Sequence, residues 1–201
     1  MYSLPTVVDI NGVTHPITNK GDYRVIIEGC FKSLNDPELD SQFRVISALY
    51  CFYDELNDID NFETELEKVF GDNIEEAVIK MYDFFDCNQK TSGAQTSRSV
   101  IDWEQDAQLI CSAINPIAPY DDIRLDNIYI HWFTFMGYYM AIGDCPWAQI
   151  VSIRNKIVNH KKLEKHEKEF KRENPEYFVW GQDSVEQKEA EQLITDIWNQ
   201  G

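Results

Sequence analysis

The chain has 201 residues, of which 43% are hydrophobic and 26% are charged, and its formal net charge at pH 7 is -17. This is the composition of a globular protein, so disorder throughout the chain is excluded. The acidic excess argues against general nucleic-acid binding, because that affinity comes mainly from clustered Lys and Arg residues, and it favours basic partners.

The sequence predicts a protein of the cytoplasm. No stretch approaches the roughly 18 uninterrupted apolar residues that a membrane-spanning helix needs, and the N-terminus lacks the features of a signal peptide. The five cysteines are far apart, without a Cys-x-x-Cys pair or a histidine at ligand spacing. We therefore expect reduced thiols that mostly pack as small buried hydrophobes, and neither a metal site nor a cofactor.

The N-terminal residues are typical of a β-hairpin. Residues 6–10 and 13–17 are rich in β-branched side chains and flank Asn11-Gly12, the dipeptide that best tolerates the positive φ angles of a two-residue turn. Because an isolated ribbon is only marginally stable, the hairpin should pack on a helix or another edge. His15 is predicted to be exposed, and Pro16 indicates a strand edge.

Three helical regions are predicted next. Asp22 caps the first, whose apolar residues recur at spacings of three and four as far as Leu34. The second starts at Asp40 or Ser41 and is apolar over more than half its circumference, which favours a central position. The third covers residues 62–87 and is interrupted at 71–73, where glycine ends one helix and Asp72 or Asn73 caps the next.

An acidic segment, residues 54–67, carries no basic residue. Two interpretations remain open for it, a solvated surface or a docking surface for a basic partner. A calcium loop is disfavoured because residues 54–60 have no glycine at the bend. Its acidic residues are Asp54, Glu55, Asp58, Asp60, Glu63, Glu65 and Glu67.

Residues 88–99 contain no large apolar side chain and are predicted to be a flexible linker. Asp102 is the expected N-cap of a helix that ends at Asn115-Pro116. A second, aromatic helix ends at Gly143, and Pro146 occupies the first position of the next.

The second half ends in a basic segment, residues 154–172, with eight basic and three acidic residues, a local balance of 8 minus 3, or +5. A solvated helix with Glu and Lys at helical spacing is one interpretation. A surface for RNA, for anionic lipid or for the acidic segment is the other. Asn174-Pro175 ends this helix.

The C-terminal residues 183–198 predict an acidic helix with an incomplete apolar stripe, which either docks onto the body or binds a partner groove. That stripe consists of Val185, Leu193, Ile194, Ile197 and Trp198.

Asp106 and His131 raise the question of acid–base chemistry. We interpret them instead as polar members of a helix interface, because no Ser or Cys nucleophile has an assignable base. Burial of the Trp132 side chain would stabilise the fold. This stabilisation is enough to account for an aromatic residue at that position of the second helix. The chain is therefore predicted not to be an enzyme.

Residues 101–147 also carry a family resemblance. A helix with Trp103, Asp106, Ala107 and Ile110 precedes a helix with His131-Trp132-Phe133. This order resembles the gene product fifteen family of siphophages and prophages of Gram-positive bacteria, a tail-assembly chaperone-like family. The chain departs from the family pattern in the loop at residues 116–119 and in Phe133, where a second Trp is usual.

The resemblance implies a helical protein encoded between the tail-tube and tape-measure genes. Such a protein is thought to keep the tape-measure protein soluble, in the host bacterial cytoplasm, while tube subunits polymerise. The implied partners are therefore the tape-measure and tail-tube proteins, with homo-oligomerisation left open. The alternatives are a structural virion or host-interaction protein and, less favoured, an uncharacterised enzyme.

Together these observations predict a mainly α, multi-helix bundle-like fold with a short N-terminal β-hairpin. Residues 1–87 would form an N-terminal hairpin and helical half, 88–99 a linker, 100–178 a second helical half and 179–201 a tail helix. The candidate partner interface consists of Asp54, Asp58, Asp60, Glu63, Lys161, Lys165, Leu193, Ile197 and Trp198.

Overall fold

A computed structural model describes residues 3–89 and 100–180, which divide into two compact units. The first contains residues 3–89 and 129–136, and the second contains residues 100–128 and 137–180. Residues 129–136 thus belong with the first unit. The predicted fold class, mainly α with a short N-terminal hairpin, is confirmed.

The first unit begins with the predicted hairpin. Strands β1 (Val7–Ile10) and β2 (Val13–Pro16) pair antiparallel, with Val8 opposite His15 and Ile10 opposite Val13. Asn11 and Gly12 have φ angles of 50° and 88°. The Asn-Gly turn is therefore as predicted, since these are the residues that adopt positive φ at little cost.

The prediction that His15 is exposed is wrong, since only 4% of the residue is accessible. It lies on the same face of the hairpin as buried Val8, and its ring contacts the rings of Tyr53 and Phe70. Its Nδ1 lies 2.7 Å from a carboxylate oxygen of Glu55. The hairpin packs this face on helices, and this packing buries the polar side chain of His15.

The helices of the first unit follow the predicted order. A π-helical turn (Val25–Phe31) runs into α1 (Lys32–Leu34), and α2 (Ser41–Phe52) packs against that turn. Then come a 3-10 turn (Ile59–Asn61), α3 (Phe62–Phe70), a 3-10 turn (Gly71–Asn73) and α4 (Ile74–Phe85). The first predicted helix is thus π-helical over most of its length.

The predicted helix ends and central position are largely confirmed. Asp40 accepts a hydrogen bond from the backbone of Phe43 and caps α2, whereas Gly71 ends α3. Helix α2 contributes heavily to the core, as its apolar circumference indicated. The largest fully buried side chains of this unit are Ile10, Ile26, Leu49, Phe52, Tyr53, Met81, Phe84, Trp132 and Phe135.

The backbone of Gly21 lies close to the side chains of Phe84 and His131, so a larger residue at this position should destabilise the unit. It has φ of 76°, and an added Cβ would lie 2.8 Å from Cζ of Phe84 and 3.2 Å from Nε2 of His131. Gly21→Ala should lower the free energy of unfolding by about 1–2 kcal/mol for the positive φ and by a further ~1–3 kcal/mol for overpacking against a buried ring. Chemical denaturation measures the total.

Gly12→Ala is the matched control, because Gly12 also has positive φ but an added Cβ would meet nothing within 4 Å. It should show the conformational cost alone. Equal losses for the two variants would mean that the contact with Phe84 relaxes without cost.

The second unit contains three helices of its own, α5 (Ala107–Ile114), α7 (Pro146–Val158) and α8 (Lys165–Glu173), and a 3-10 turn, Pro175–Phe178. Helix α6 (Trp132–Met140) has its residues 132–136 in the first unit and the rest in the second. Cys145 caps α7. Pro146 follows at the first position of the helix, as predicted.

Two local predictions for this unit are wrong. Helix α5 begins at Ala107, not after Asp102, whose carboxylate instead accepts hydrogen bonds from the backbone of Glu104 and Gln105 in a preceding turn. The basic segment is not one helix, because α7 ends at Val158 and α8 starts at Lys165. Between them His160 has a φ of 52°, which interrupts helical geometry.

Three further predictions concern cysteines, membranes and the tail. Cys30 and Cys111 are buried, and burial raises the pKa of both thiols. Cys51, Cys87 and Cys145 are half-buried, and none of the five cysteines forms a disulfide.

Within the described ranges, no helix has the length and hydrophobicity to cross a bilayer. Most of the predicted linker and the whole predicted C-terminal helix, with Leu193, Ile197 and Trp198, lie outside the described residues.

Candidate functional site

The polar centre of the second unit is an ion pair between Asp106 and Arg154. Both side chains are almost completely buried, and the guanidinium donates two parallel hydrogen bonds, from Nη1 to Oδ2 at 2.5 Å and from Nη2 to Oδ1 at 3.0 Å. Asp106 also accepts a hydrogen bond from the backbone N–H of Asp102. This carboxylate of the family motif therefore holds α7 and the turn before α5.

Arg154 also forms hydrogen bonds with the two ends of the described part of this unit, near residues 100 and 177. It donates to the carbonyl of Val100 at 2.9 Å and to that of Tyr177 at 2.7 Å. Its guanidinium lies 4.7 Å from the ring centroid of Trp180 and 5.8 Å from that of Trp147. The charge is thus neutralised, hydrogen-bonded and stacked, which is how a buried guanidinium is tolerated.

The buried role of Arg154 was not predicted, because the residue belongs to the basic segment, for which a solvated helix and a binding surface were both left open. One signal was available, because Ile150, Ile153 and Ile157 lie four, one and three residues from Arg154 on the apolar face of α7. A basic residue at a core position of an amphipathic helix indicates a buried partner.

His131 lies in the first unit and makes different contacts. Its Nδ1 accepts a hydrogen bond from the backbone N–H of Phe133 at 3.1 Å, so the proton is on Nε2, which donates to the carbonyl of Pro5 at 2.8 Å. The ring also contacts Phe84 edge-on. Asp106 and His131 belong to different units, and each is hydrogen-bonded to partners within its own unit.

The burial of His131 predicts a pH dependence of stability. Burial holds the pKa of His131 below its ordinary value of 6.5, although Pro5 and Asp22 act in the opposite direction. The unfolded chain therefore binds more protons than the folded one near that pH. Stability from this residue is complete above about pH 6.5 and is lost as the pH falls towards the folded pKa.

Denaturation at about pH 7.5 and pH 5.5 tests this. The wild-type chain should lose more stability on acidification than the His131→Gln variant. His166→Gln, at an exposed position of α8, should keep the wild-type pH dependence. An unchanged pH dependence in His131→Gln would assign the acid sensitivity to other groups.

Trp132 is the other aromatic motif residue, and it is buried as predicted. Its indole N–H donates to the carbonyl of Phe85 at 2.9 Å, and its ring stacks on Phe135 and meets Phe31 edge-on. Ile110 is buried on α5, and Trp103 contacts the ring of Tyr139 in the second unit. The motif residues therefore make contacts in both units, Trp132 in the first and Trp103 and Ile110 in the second.

Most of the acidic segment is exposed, including all four residues that were candidates for a partner interface, Asp54, Asp58, Asp60 and Glu63. Glu65 differs, because it accepts a hydrogen bond from the Tyr50 hydroxyl at 2.6 Å and further bonds from the backbone of Asn57 and Asp58. The Tyr50 hydrogen bond and these backbone donors hold the pKa of Glu65 below its ordinary value. Glu65 therefore fixes the loop before α3.

The basic candidates lie in the second unit. Lys165 is exposed at the start of α8, and Lys161 lies at an open groove of about 590 Å³ that Trp147 and Val151 also line. Lys156, at the same groove, forms an ion pair with Glu167 at 2.6 Å. Among the described residues that line the groove, none is acidic.

In the parts of the chain that the structure describes, every buried side-chain nitrogen and oxygen has a hydrogen-bond partner, and no group of three or more His, Cys, Asp or Glu side chains could hold a metal ion. The fold and these clusters define a mainly helical protein whose buried polar residues fasten chain segments together. Its exposed residues form charged surfaces.

Residues 1–178 match the family described as Bacteriophage Gp15 protein, and the chain therefore belongs to this bacteriophage family. The resemblance seen in residues 101–147 is confirmed by this match. No curated protein and no solved structure shows significant similarity to the chain.

Proposed function

We propose that this protein is a non-enzymatic tail-assembly chaperone that binds the tape-measure protein, the tail-tube subunits or both in the cytoplasm of the bacterial host. The observation that carries the proposal is the family match over residues 1–178. The resemblance through Trp103, Asp106, His131 and Trp132 implies that role, because it places the family between the tail-tube and tape-measure genes.

The roles of the buried polar residues support a binding protein over an enzyme. Both carboxylate oxygens of Asp106 accept hydrogen bonds from Arg154, and both ring nitrogens of His131 are hydrogen-bonded to backbone groups. A general acid or base needs a hydrogen-bonding position open to its substrate. In Asp106 and His131 these hydrogen-bonding positions are occupied by contacts that stabilise the fold.

The surface composition is compatible with a chaperone. A protein that shields apolar helices needs exposed apolar side chains and enough charge to stay in solution. The chain carries a net charge of -17. Several large hydrophobic side chains are nevertheless exposed, among them Phe43, Ile59, Ile79 and Met140.

Co-expression with the tape-measure protein of the same phage tests the proposal. The soluble yield of the tape-measure protein should rise, and the two proteins should elute together on size exclusion. A control co-expression uses another long helical protein, whose soluble yield should not change. No gain in yield and no co-elution would contradict the chaperone role.

Purified phage particles address the alternative of a structural virion or host-interaction protein. A chaperone that acts only during assembly should be absent from mature particles. Detection of the protein at a fixed number of copies per particle, by mass spectrometry, would favour the alternative.

A further inference from the structure

We infer that a surface of the first unit docks a basic amphipathic α-helix of a protein partner. Phe43, Ile59 and Phe62 form its apolar part and Asp58, Asp60 and Glu63 its acidic part; we call it the aromatic–acidic surface. The docking mode follows from this surface alone, and only the identification of the partner with the tape-measure or tail-tube protein rests on the proposed function.

The apolar part combines two helices. Phe43 lies in the first turn of α2, where its backbone N–H is held by the Asp40 carboxylate at 2.9 Å, and the residue is 39% exposed. Its ring meets that of Phe62, the first residue of α3, edge-on with centroids 5.4 Å apart. Phe62 is half-buried, so the pair is anchored on one side and accessible on the other.

We assign Ile59 to the same patch because of its position in the chain. It is 44% exposed and begins the 3-10 turn that leads into α3, three residues before Phe62. Residues three apart in a 3-10 turn lie on the same side, so Ile59 and Phe62 face the same direction. An exposed aliphatic side chain that faces the same direction as one ring of an aromatic pair adds to the apolar surface on which the stripe of an amphipathic helix can dock.

The loop that carries the surface is already held in place. The Tyr50 hydroxyl donates to the Glu65 carboxylate and lies 3.0 Å from the backbone carbonyl of Asp58. Glu65 accepts hydrogen bonds from the backbone N–H groups of Asn57 and Asp58. A surface that is ordered before binding loses less conformational entropy when a partner docks.

Charge defines the partner. Asp58, Asp60 and Glu63 are exposed and are the direct chain neighbours of Ile59 and Phe62, and residues 54–67 contain no basic residue. Lys and Arg on the polar face of a docked helix would meet these carboxylates, while its apolar face covers the aromatic rings. Nucleic acid and anionic lipid would be repelled, which leaves a basic protein segment as the fitting occupant.

The test measures binding of a fluorescently labelled helical peptide of Leu and Lys, with Leu at helical spacing, to the full chain by fluorescence polarisation. Phe43→Ser should weaken binding by about tenfold or more, as loss of an aromatic anchor does. The double variant Asp60→Lys with Glu63→Lys should weaken it comparably and reduce its salt dependence. These two positions are exposed, so this variant keeps the test valid should Phe43→Ser fail to fold.

Ile79→Ser is the matched control. Ile79 is 46% exposed on α4 of the same unit, with Glu75 and Asp83 one turn away on either side, and it is not part of the aromatic–acidic surface. Its replacement should change the affinity by less than about twofold. Equal losses for Ile79→Ser and Phe43→Ser, or no loss for Phe43→Ser and the charge-reversal variant, would overturn the inference.

The same variants in the tape-measure co-expression separate this inference from the proposed function. If the wild-type chain raises the soluble yield and both surface variants raise it equally, the chaperone role stands and docking of the client at this surface is overturned. If the peptide binds at the surface but the wild-type chain leaves the yield unchanged, the docking surface stands and the proposed function fails.

Discussion

Replacing Asp106 with alanine should lower the free energy of unfolding by about 3–5 kcal/mol, because removal of one partner leaves a buried charge without compensation. Arg154 is completely buried and donates to both oxygens of Asp106, so loss of the carboxylate leaves the guanidinium without its counter-charge inside the unit. Chemical denaturation followed by circular dichroism measures the loss, with separate transitions fitted if the two units unfold independently.

Arg172→Met is the control for this prediction. Arg172 is 73% exposed and lies 3.4 Å from Glu169, so its ion pair should contribute less than about 1 kcal/mol. The double variant Asp106→Ala with Arg154→Met should recover part of the stability lost in Asp106→Ala, since it removes the unpaired charge. A loss for Asp106→Ala as small as that for Arg172→Met would show that solvent reaches the pair.

Replacing Trp132 with alanine should cost about 3–5 kcal/mol, the usual range for truncating a buried large aromatic side chain. The indole fills space between Phe31 and Phe135 and donates to the carbonyl of Phe85. Truncation removes those contacts and leaves the carbonyl without its donor. Denaturation of the full chain measures the effect.

Trp132→Phe separates packing from the hydrogen bond. It keeps an aromatic ring but cannot donate, so its loss should be smaller than that of Trp132→Ala. Val13→Ala, at an exposed position of the hairpin, should be nearly neutral. A small loss for Trp132→Ala would mean that the surrounding side chains collapse into the space.

Several elements could be predicted from the sequence because short-range chemistry determines them. The Asn11-Gly12 turn needs positive φ, Asp40 supplies a cap acceptor to the backbone three residues later, and Pro146 follows a capping residue at the start of α7. Each of these signals involves residues within about four positions of one another. The helix interruption at Gly71 belongs to the same class.

The candidate site was predicted less completely. The exposure of the acidic segment followed from its composition, but nothing in the sequence placed Phe43 of α2 beside Phe62 of α3. Glu63 is exposed, whereas Glu65 is hydrogen-bonded to Tyr50. This difference could not be predicted from the sequence, because both residues belong to the same acidic segment.

The sequence by itself determined the mainly helical class, the hairpin, most helix ends and the family, since local propensity, hydrophobic periodicity and a short motif carry that information. Only the tertiary structure decided which polar residues are buried and with whom. His15 meets Glu55 across 40 positions, Asp106 meets Arg154 across 48, and His131 meets Pro5 across 126. Such partners are selected by the packing of whole elements, because a buried polar group must find its hydrogen bonds wherever the fold brings a donor or acceptor.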